Sequence, residues 1–100
     1  MTGAAGFIGS HMVDLLLGEG YRVQAIDNLS SGHRKNLEQH DANPRLRFEV
    51  RDLRDLGADD PQFRDAQYVF HFAGLGDIVP SINRPIDYLS ANVMGTIHAL

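Results

Sequence analysis

Three glycines open the chain at a spacing that suits anion binding. They are Gly3, Gly6 and Gly9, within Thr2-Gly3-Ala4-Ala5-Gly6-Phe7-Ile8-Gly9-Ser10-His11, and an amphipathic run follows directly. Glycine lacks a Cβ, so the backbone turns tightly and a phosphate can approach the main chain. The first N–H groups of the next helix then face the anion, and the helix dipole favours negative charge. The stretch reads as a pyrophosphate cradle; the plainer alternative is a glycine-rich turn before an ordinary helix. Two carboxylates extend the pattern. Asp27 lies roughly twenty residues beyond the glycines, the distance at which an acid accepts ribose hydroxyls and repels a 2′-phosphate. Asp52 could accept from an adenine amino group, cap a short helix beginning near Leu53, or do both.

Asp27 favours NAD over NADP, with Arg34 and Lys35 as the counter-argument because they could reach a 2′-phosphate. Ala73, Gly74 and Gly76 are small where bulk would block a dinucleotide. Other chemistries find little support. No histidine pairs at i, i+4 with an acidic partner, and His33 and His40 fall in a polar segment, which argues against a metal. His11 is expected to pack within the first helix and His71 to end a buried strand with its ring hydrogen-bonded. Ser81 and Ser90 have no base beside them in sequence, so no hydrolase triad can be nominated. The chain has no cysteine, hence no disulfide framework and no thiolate nucleophile.

The elements that must position these groups can be read in order. From Phe7 to Leu17 the residues Ile8, Met12, Val13, Leu16 and Leu17 recur at helical spacing, and Gly18-Glu19-Gly20 supplies a stop with a left-handed cap. Tyr21–Ile26 and Leu46–Val50 alternate as strands, the first ending at Asp27 and the second running out at Arg51-Asp52. Residues 28–32 are turn chemistry, and His33 to His40 is a loop or a short exposed helix. Asp60-Pro61 predicts a cap and one or two helical turns to Asp65. Tyr68–Phe72 suits a strand buried on both faces, with Ala73–Gly76 a loop after it. A helix is expected after Pro85, carrying Ile86, Leu89, Val93, Ile97 and Leu100.

This order predicts an α/β fold: a Rossmann-type, doubly wound parallel sheet over residues 1–100. Such a sheet places its first strand in the middle, and only Met1 and Thr2 precede Gly3. The expectation is an incomplete sheet, lacking its first strand and its C-terminal part, in which Tyr21–Ile26 and Tyr68–Phe72 share no neighbour. The chain then reads as part of a longer protein. The 100 residues, 43% hydrophobic and 22% charged, fit one globular unit, and a net charge of −4 argues against a nucleic-acid surface or an anionic-membrane binder. No run is long enough to span a bilayer and no signal-peptide pattern is present, so a cytoplasmic location is expected.

Five motifs in order resemble one family: the glycine stretch, Asp27-Asn28-Leu29-Ser30-Ser31-Gly32, Arg51-Asp52-Leu53, His71-Phe72-Ala73-Gly74-Leu75 and Asn92-Val93-Met94-Gly95-Thr96. It is the extended short-chain dehydrogenase/reductase family, specifically its NAD-dependent nucleotide-sugar epimerases and dehydratases, with UDP-glucose 4-epimerase and its relatives the nearest likeness. The resemblance implies that the main chain at Phe7 and Ile8 meets the pyrophosphate while Gly3, Gly6 and Gly9 permit the turn. It implies Asp27 and Asn28 at the adenosine ribose, Asp52 and Leu53 at the adenine, and Phe72, Ala73, Gly74 and Leu75 along the nicotinamide half. Asn92 would position cofactor and backbone, and Ser81 would sit in a loop near a sugar nucleotide. No metal is implied. The family's reaction moves a hydride from the sugar to NAD and back, with a Tyr-x-x-x-Lys pair as base. No lysine follows Tyr21, Tyr68 or Tyr88 at four residues, so no catalytic residue is assigned and the chain alone is expected to be inactive. Gly76 stands where some 4-epimerases carry lysine and Met94 where a polar residue is common. These departures loosen the assignment to one substrate; dehydration or decarboxylation by the same family, and a non-catalytic NAD-binding module, stand as alternatives. The resemblance also implies a homodimer built in part by the helix after Pro85.

Overall fold

The computed structural model describes all residues, Met1–Leu100. Helix α1 spans Phe7–Gly18 and buries Gly9, Ser10, Val13 and Leu17. The two small residues at its start let the helix approach the glycine turn; Ile8, expected on the buried face, is instead exposed beside Phe7. His11 is also exposed, its ring tilted against Phe7 at 4.8 Å, so the expected packing is a local surface contact. The helix ends as predicted: Gly20 takes φ +88, and the N–H groups of Gly20 and Tyr21 close on the Leu17 and Leu16 carbonyls.

Strands β1 (Val23–Asp27) and β2 (Leu46–Val50) pair in parallel, Val23 opposite Leu46 and Asp27 opposite Val50. Val23 and Ala25 face one apolar cluster with Ala4, Ala5, Val13, Leu17 and Leu37. Ile26 faces a second, with Leu53 and Leu56. β1 is thus covered on both faces, as a central parallel strand must be. The segment from His33 to His40 is largely a 3₁₀ helix, Arg34–His40, and Leu37 is its fully buried anchor. A further 3₁₀ turn, Pro61–Phe63, starts where Asp60 accepts from the Gln62 N–H.

Two expectations are corrected here. The flanking segments do share a neighbour, because Thr2 bridges Ile26 on one side and His71 on the other, both in parallel. The bonds are Ile26 N–H to the Met1 carbonyl at 2.9 Å, Thr2 N–H to Phe70 at 3.0 Å and Phe72 N–H to Thr2 at 3.1 Å. Two residues therefore serve as the end of a central strand. The predicted strand Tyr68–Phe72 is reduced to that single bridge, and Tyr68 and Val69 are exposed rather than buried on two faces. Met1 and Thr2 pair with Phe70–Phe72, while the backbone before Phe70 has nothing alongside it. A groove of about 700 Å³ lies there, lined by Val23, Gln24, Phe63 and Tyr68–Phe70 among others.

After the Ala73–Gly76 loop comes an unexpected helix, α2 (Ile78–Asn83). Pro80 reads as a breaker, yet it occupies the first turn, where its missing N–H has no helical partner to lose. The helix after Pro85 forms in three pieces: α3 (Pro85–Leu89), a π-helical turn Ser90–Met94, and α4 (Gly95–Ala99). Only Gly95 of these pieces is buried. No helix is long and apolar enough to cross a membrane.

Candidate functional site

The carboxyl ends of β1 and β2, the glycine turn and the Ala73–Leu75 loop converge on one cleft. Its lining includes Gly3, Gly6, Asp27, Asn28, Asp52, Leu53, Phe72, Ala73, Gly74 and Leu75. The glycines divide by role. Gly3 has φ +66 and a Cβ there would lie 2.5 Å from the Phe72 carbonyl carbon, while a Cβ on Gly9 would lie 1.9 Å from the Gly3 oxygen. These two allow the turn to pack on itself. A Cβ on Gly6 would meet nothing closer than the Gly3 oxygen at 3.4 Å, so Gly6 keeps the cleft open rather than the fold closed.

Gly6 is also the N-cap of α1, with no side-chain cap. The N–H groups of Phe7, Ile8 and Gly9 find no acceptor in the protein, since the first internal bond runs from Ser10 to Gly6. A helix start left this way is an anion site in waiting. Phe7, Ile8 and Gly9 do not line the cleft with side chains; they offer these donors at its edge.

Asp27 locks two turns together. Its Oδ2 accepts from the Ala5 N–H at 2.9 Å and its Oδ1 from the Leu29 N–H at 2.8 Å. Each oxygen retains a lone pair for a further donor. The Ala5 carbonyl accepts in turn from the His33 N–H and from Asn36 Nδ2. Asp52 is the N-cap of a short turn, accepting from the Arg54 N–H at 2.9 Å. Arg54 also grips both carboxylate oxygens from its side chain, and Asn28 Nδ2 donates to Oδ2 at 3.0 Å. The Arg54 guanidinium holds the Asp52 carboxyl well below the usual carboxylate range, with the Arg54 N–H and the Asn28 amide adding to it against partial burial. An adenine amino group approaching Asp52 therefore competes with Asn28.

Neither Arg34 nor Lys35 lines the cleft. Arg34 pairs with Asp41 and lies over the Phe48 ring, 5.1 Å from its centroid. The cation in the lining is Arg51, held by Asp60 at 3.0 Å. Asn92 lies outside the lining and works through the backbone: Leu75 N–H donates to its Oδ1 at 2.7 Å, and its Nδ2 donates to the Leu75 carbonyl at 2.9 Å. The π-turn places it, a bulge of the kind often found at functional sites. Ser81 stands apart on α2 rather than in a loop, its hydroxyl donating to the Ile78 carbonyl at 2.5 Å. Ile26, Ser30, Ser31, Gly32, Arg51 and Ala91 complete the lining, none of them nominated for the site from sequence. Glycine is required at position 32 by space, because a Cβ there would lie 2.9 Å from the Ala5 carbonyl carbon. No group of histidines and acids is arranged to hold a metal.

A parallel sheet with a glycine turn, an unpartnered helix start and an acid at the next strand's end defines an α/β protein of the dinucleotide-crevice class. The chain belongs to the NAD dependent epimerase/dehydratase family, whose model matches residues 1–100. Over 98% of its length it is 39% identical to the bifunctional UDP-glucose 4-epimerase and UDP-xylose 4-epimerase 3 of Arabidopsis thaliana, covering 30% of that protein. UDP-glucuronic acid decarboxylase 1 of the same plant is 35% identical over the whole chain, which covers 22% of it. Among solved structures, DesIV of Streptomyces venezuelae, a dTDP-glucose 4,6-dehydratase crystallised with NAD bound, superposes with a TM-score of 0.89 and 39% identity. That match covers 98% of this chain and 33% of DesIV. The chain thus spans about a third or less of the relatives it matches.

Proposed function

We propose that these residues form part of the NAD-binding domain of a nucleotide-sugar epimerase similar to UDP-glucose 4-epimerase. One observation carries the reading: three unpartnered N–H groups at the start of α1 stand at the mouth of a cleft whose other rim holds Asp27. The Phe7 and Ile8 main chain would hold the pyrophosphate, with Gly6 leaving room for it. Asp27 and Asn28 would take the adenosine ribose, and Asp52 and Leu53 would border the adenine. Phe72, Ala73, Gly74 and Leu75 would line the nicotinamide half, with Asn92 fixing Leu75 and Ser81 nearest a sugar nucleotide. When bound, NAD supplies a hydride acceptor for the sugar carbon. The engagement of Arg34 by Asp41 and Phe48 supports NAD over NADP.

Dehydration or decarboxylation of a nucleotide sugar is the second reading, favoured by the TM-score of 0.89 against a dehydratase. We further propose a UDP-sugar substrate, a cytoplasmic setting and a homodimer for the whole protein, and no turnover by these 100 residues alone, because no Tyr-x-x-x-Lys pair lies within them. Calorimetric titration of the full chain tests the cofactor reading. NAD should bind at least about tenfold more tightly than NADP, as a carboxylate at the ribose requires. No heat with either, or a preference for NADP, overturns it. UDP-glucose turnover by the purified chain overturns the expectation of inactivity.

A further inference from the structure

Behind the cleft wall runs a chain of hydrogen bonds of which the cofactor reading uses only the last, from Asn92 to Leu75. The Ala73 N–H reaches Thr2 Oγ1 at 3.3 Å. Thr2 Oγ1 lies 2.6 Å from His71 Nδ1, and His71 Nε2 lies 3.0 Å from Thr96 Oγ1. Thr96 Oγ1 donates to the Asn92 carbonyl at 2.6 Å, and the side chain of Asn92 holds Leu75. The line starts and ends on the same wall, at Ala73 and Leu75, and passes through one imidazole.

Counting protons fixes the ring's state. A hydroxyl has one proton. That of Thr96 is engaged by the Asn92 carbonyl, so Thr96 can only accept from His71, and Nε2 must carry a hydrogen. With Nδ1 bare, the Thr2 hydroxyl donates to it and accepts from Ala73, and every donor has an acceptor. With Nδ1 also protonated, Thr2, which is fully buried, would have a hydroxyl proton with nowhere to go. Nor would a charged ring find compensation. The other titratable side chain on the two segments that hold it, His98, is bound to the Leu56 carbonyl. Burial alone acts on the ring and lowers its pKa.

We propose that His71, protonated on Nε2 only, is a positioning residue that locks the Ala73–Leu75 wall of the cleft to both the glycine turn and the helix carrying Asn92. Charging the ring turns Nδ1 from acceptor to donor, reverses the Thr2 bond and releases the wall. The link to NAD affinity rests on the cofactor reading above; the lock itself does not.

The test is a pH titration of the ¹⁵N-labelled full chain, reading the His71 ring nitrogens together with the Ala73 and Leu75 amides. At pH 7.5 Nε2 should be protonated and Nδ1 bare. The ring should charge only below the ordinary histidine value of about 6.5, and both amides should shift with it. An Nδ1–H tautomer, a charged ring at pH 7, or amides indifferent to the ring overturns the proposal, whether or not NAD binds. For NAD itself, Kd should rise about three- to tenfold as the ring charges, the loss expected for one hydrogen bond. Thr96→Val should show that loss already at pH 7.5 and Thr96→Ser should restore it. A folded Thr96→Val chain with unaltered NAD affinity and unaltered Ala73 and Leu75 amides overturns it as well.

Discussion

The two walls of the cleft are held by different forces. Behind the glycine turn, Ala4, Ala5, Val13, Leu17, Val23, Ala25 and Leu37 form a closed apolar cluster. Behind the Ala73–Leu75 loop stand helices whose Ile86, Leu89, Val93 and Ile97 face solvent; apart from Gly95 against Leu53 and Ala73 on the smaller Ile26–Leu53–Leu56 cluster, their grip on the rest is polar. Asn92 holds Leu75, Thr96 reaches His71, and Ser90 accepts from Arg54. Apolar burial contributes about 25 cal/mol per Å², is non-directional and is shared among many contacts. Side-chain hydrogen bonds contribute about 0.5–1.5 kcal/mol each and fail one at a time. The first wall therefore fails as a unit and at large cost, whereas the second opens locally, one bond at a time, and responds to protons.

Substitutions that separate the walls can be ordered by size. Gly9→Ala should be the most damaging, because its Cβ would sit 1.9 Å from the Gly3 oxygen, backbone against backbone. Its urea transition should be lost, or stability cut by about 3 kcal/mol or more. Leu37→Ala opens a cavity in the rigid wall and should cost about 2–5 kcal/mol by the same measurement. Asn92→Ala unpairs both polar groups of Leu75, a loss of about 1–3 kcal/mol that should appear as faster local hydrogen exchange at Leu75 with little change at Ala5. If Ala5 exchanges equally faster, the walls are not independent.

Acid should act on the polar side as well. The Asp52 carboxyl is depressed by Arg54, so its contribution is fully present above its unfolded pKa of about 3.9 and is lost as pH falls through the lower folded value. Stability should therefore decline below about pH 4, and Arg54→Gln should flatten that decline. The smallest effect belongs to the exposed stripe: Ile86→Ala should change stability by less than about 0.5 kcal/mol in the isolated chain.

How much of this was legible in the sequence follows the same division. Glycine spacing, α1 and its Gly20 cap, β2 and the Asp27 position depend on local chemistry, and all are present. Thr2 was missed as a strand surrogate because its bridges to Ile26 and His71 join residues far apart in sequence. The strand at Tyr68–Phe72 was over-read because its apolar composition asks for pairing that only Phe70–Phe72 obtain. Helix α2 was hidden by Pro80, and the π-turn at Ser90–Met94 leaves no mark in an apolar spacing that an unbroken helix would share. Among the site residues, Asp52 could be read two ways. The cap is realised, and its bond to Asn28 ties together two positions that were read separately.

The most direct measurement is amide chemical-shift mapping of the full chain with NAD, run beside Gly6→Ala. A Cβ at Gly6 meets nothing in the protein closer than 3.4 Å, so the variant should fold, losing no more than about 1 kcal/mol for alanine in place of glycine at the N-cap. NAD should shift the amides of Phe7, Ile8 and Gly9 in the wild-type chain and leave them unmoved in the variant. Shifts that persist in Gly6→Ala, or that fall on the Tyr68–Phe70 groove instead, would contradict the placement of the cofactor at the start of α1.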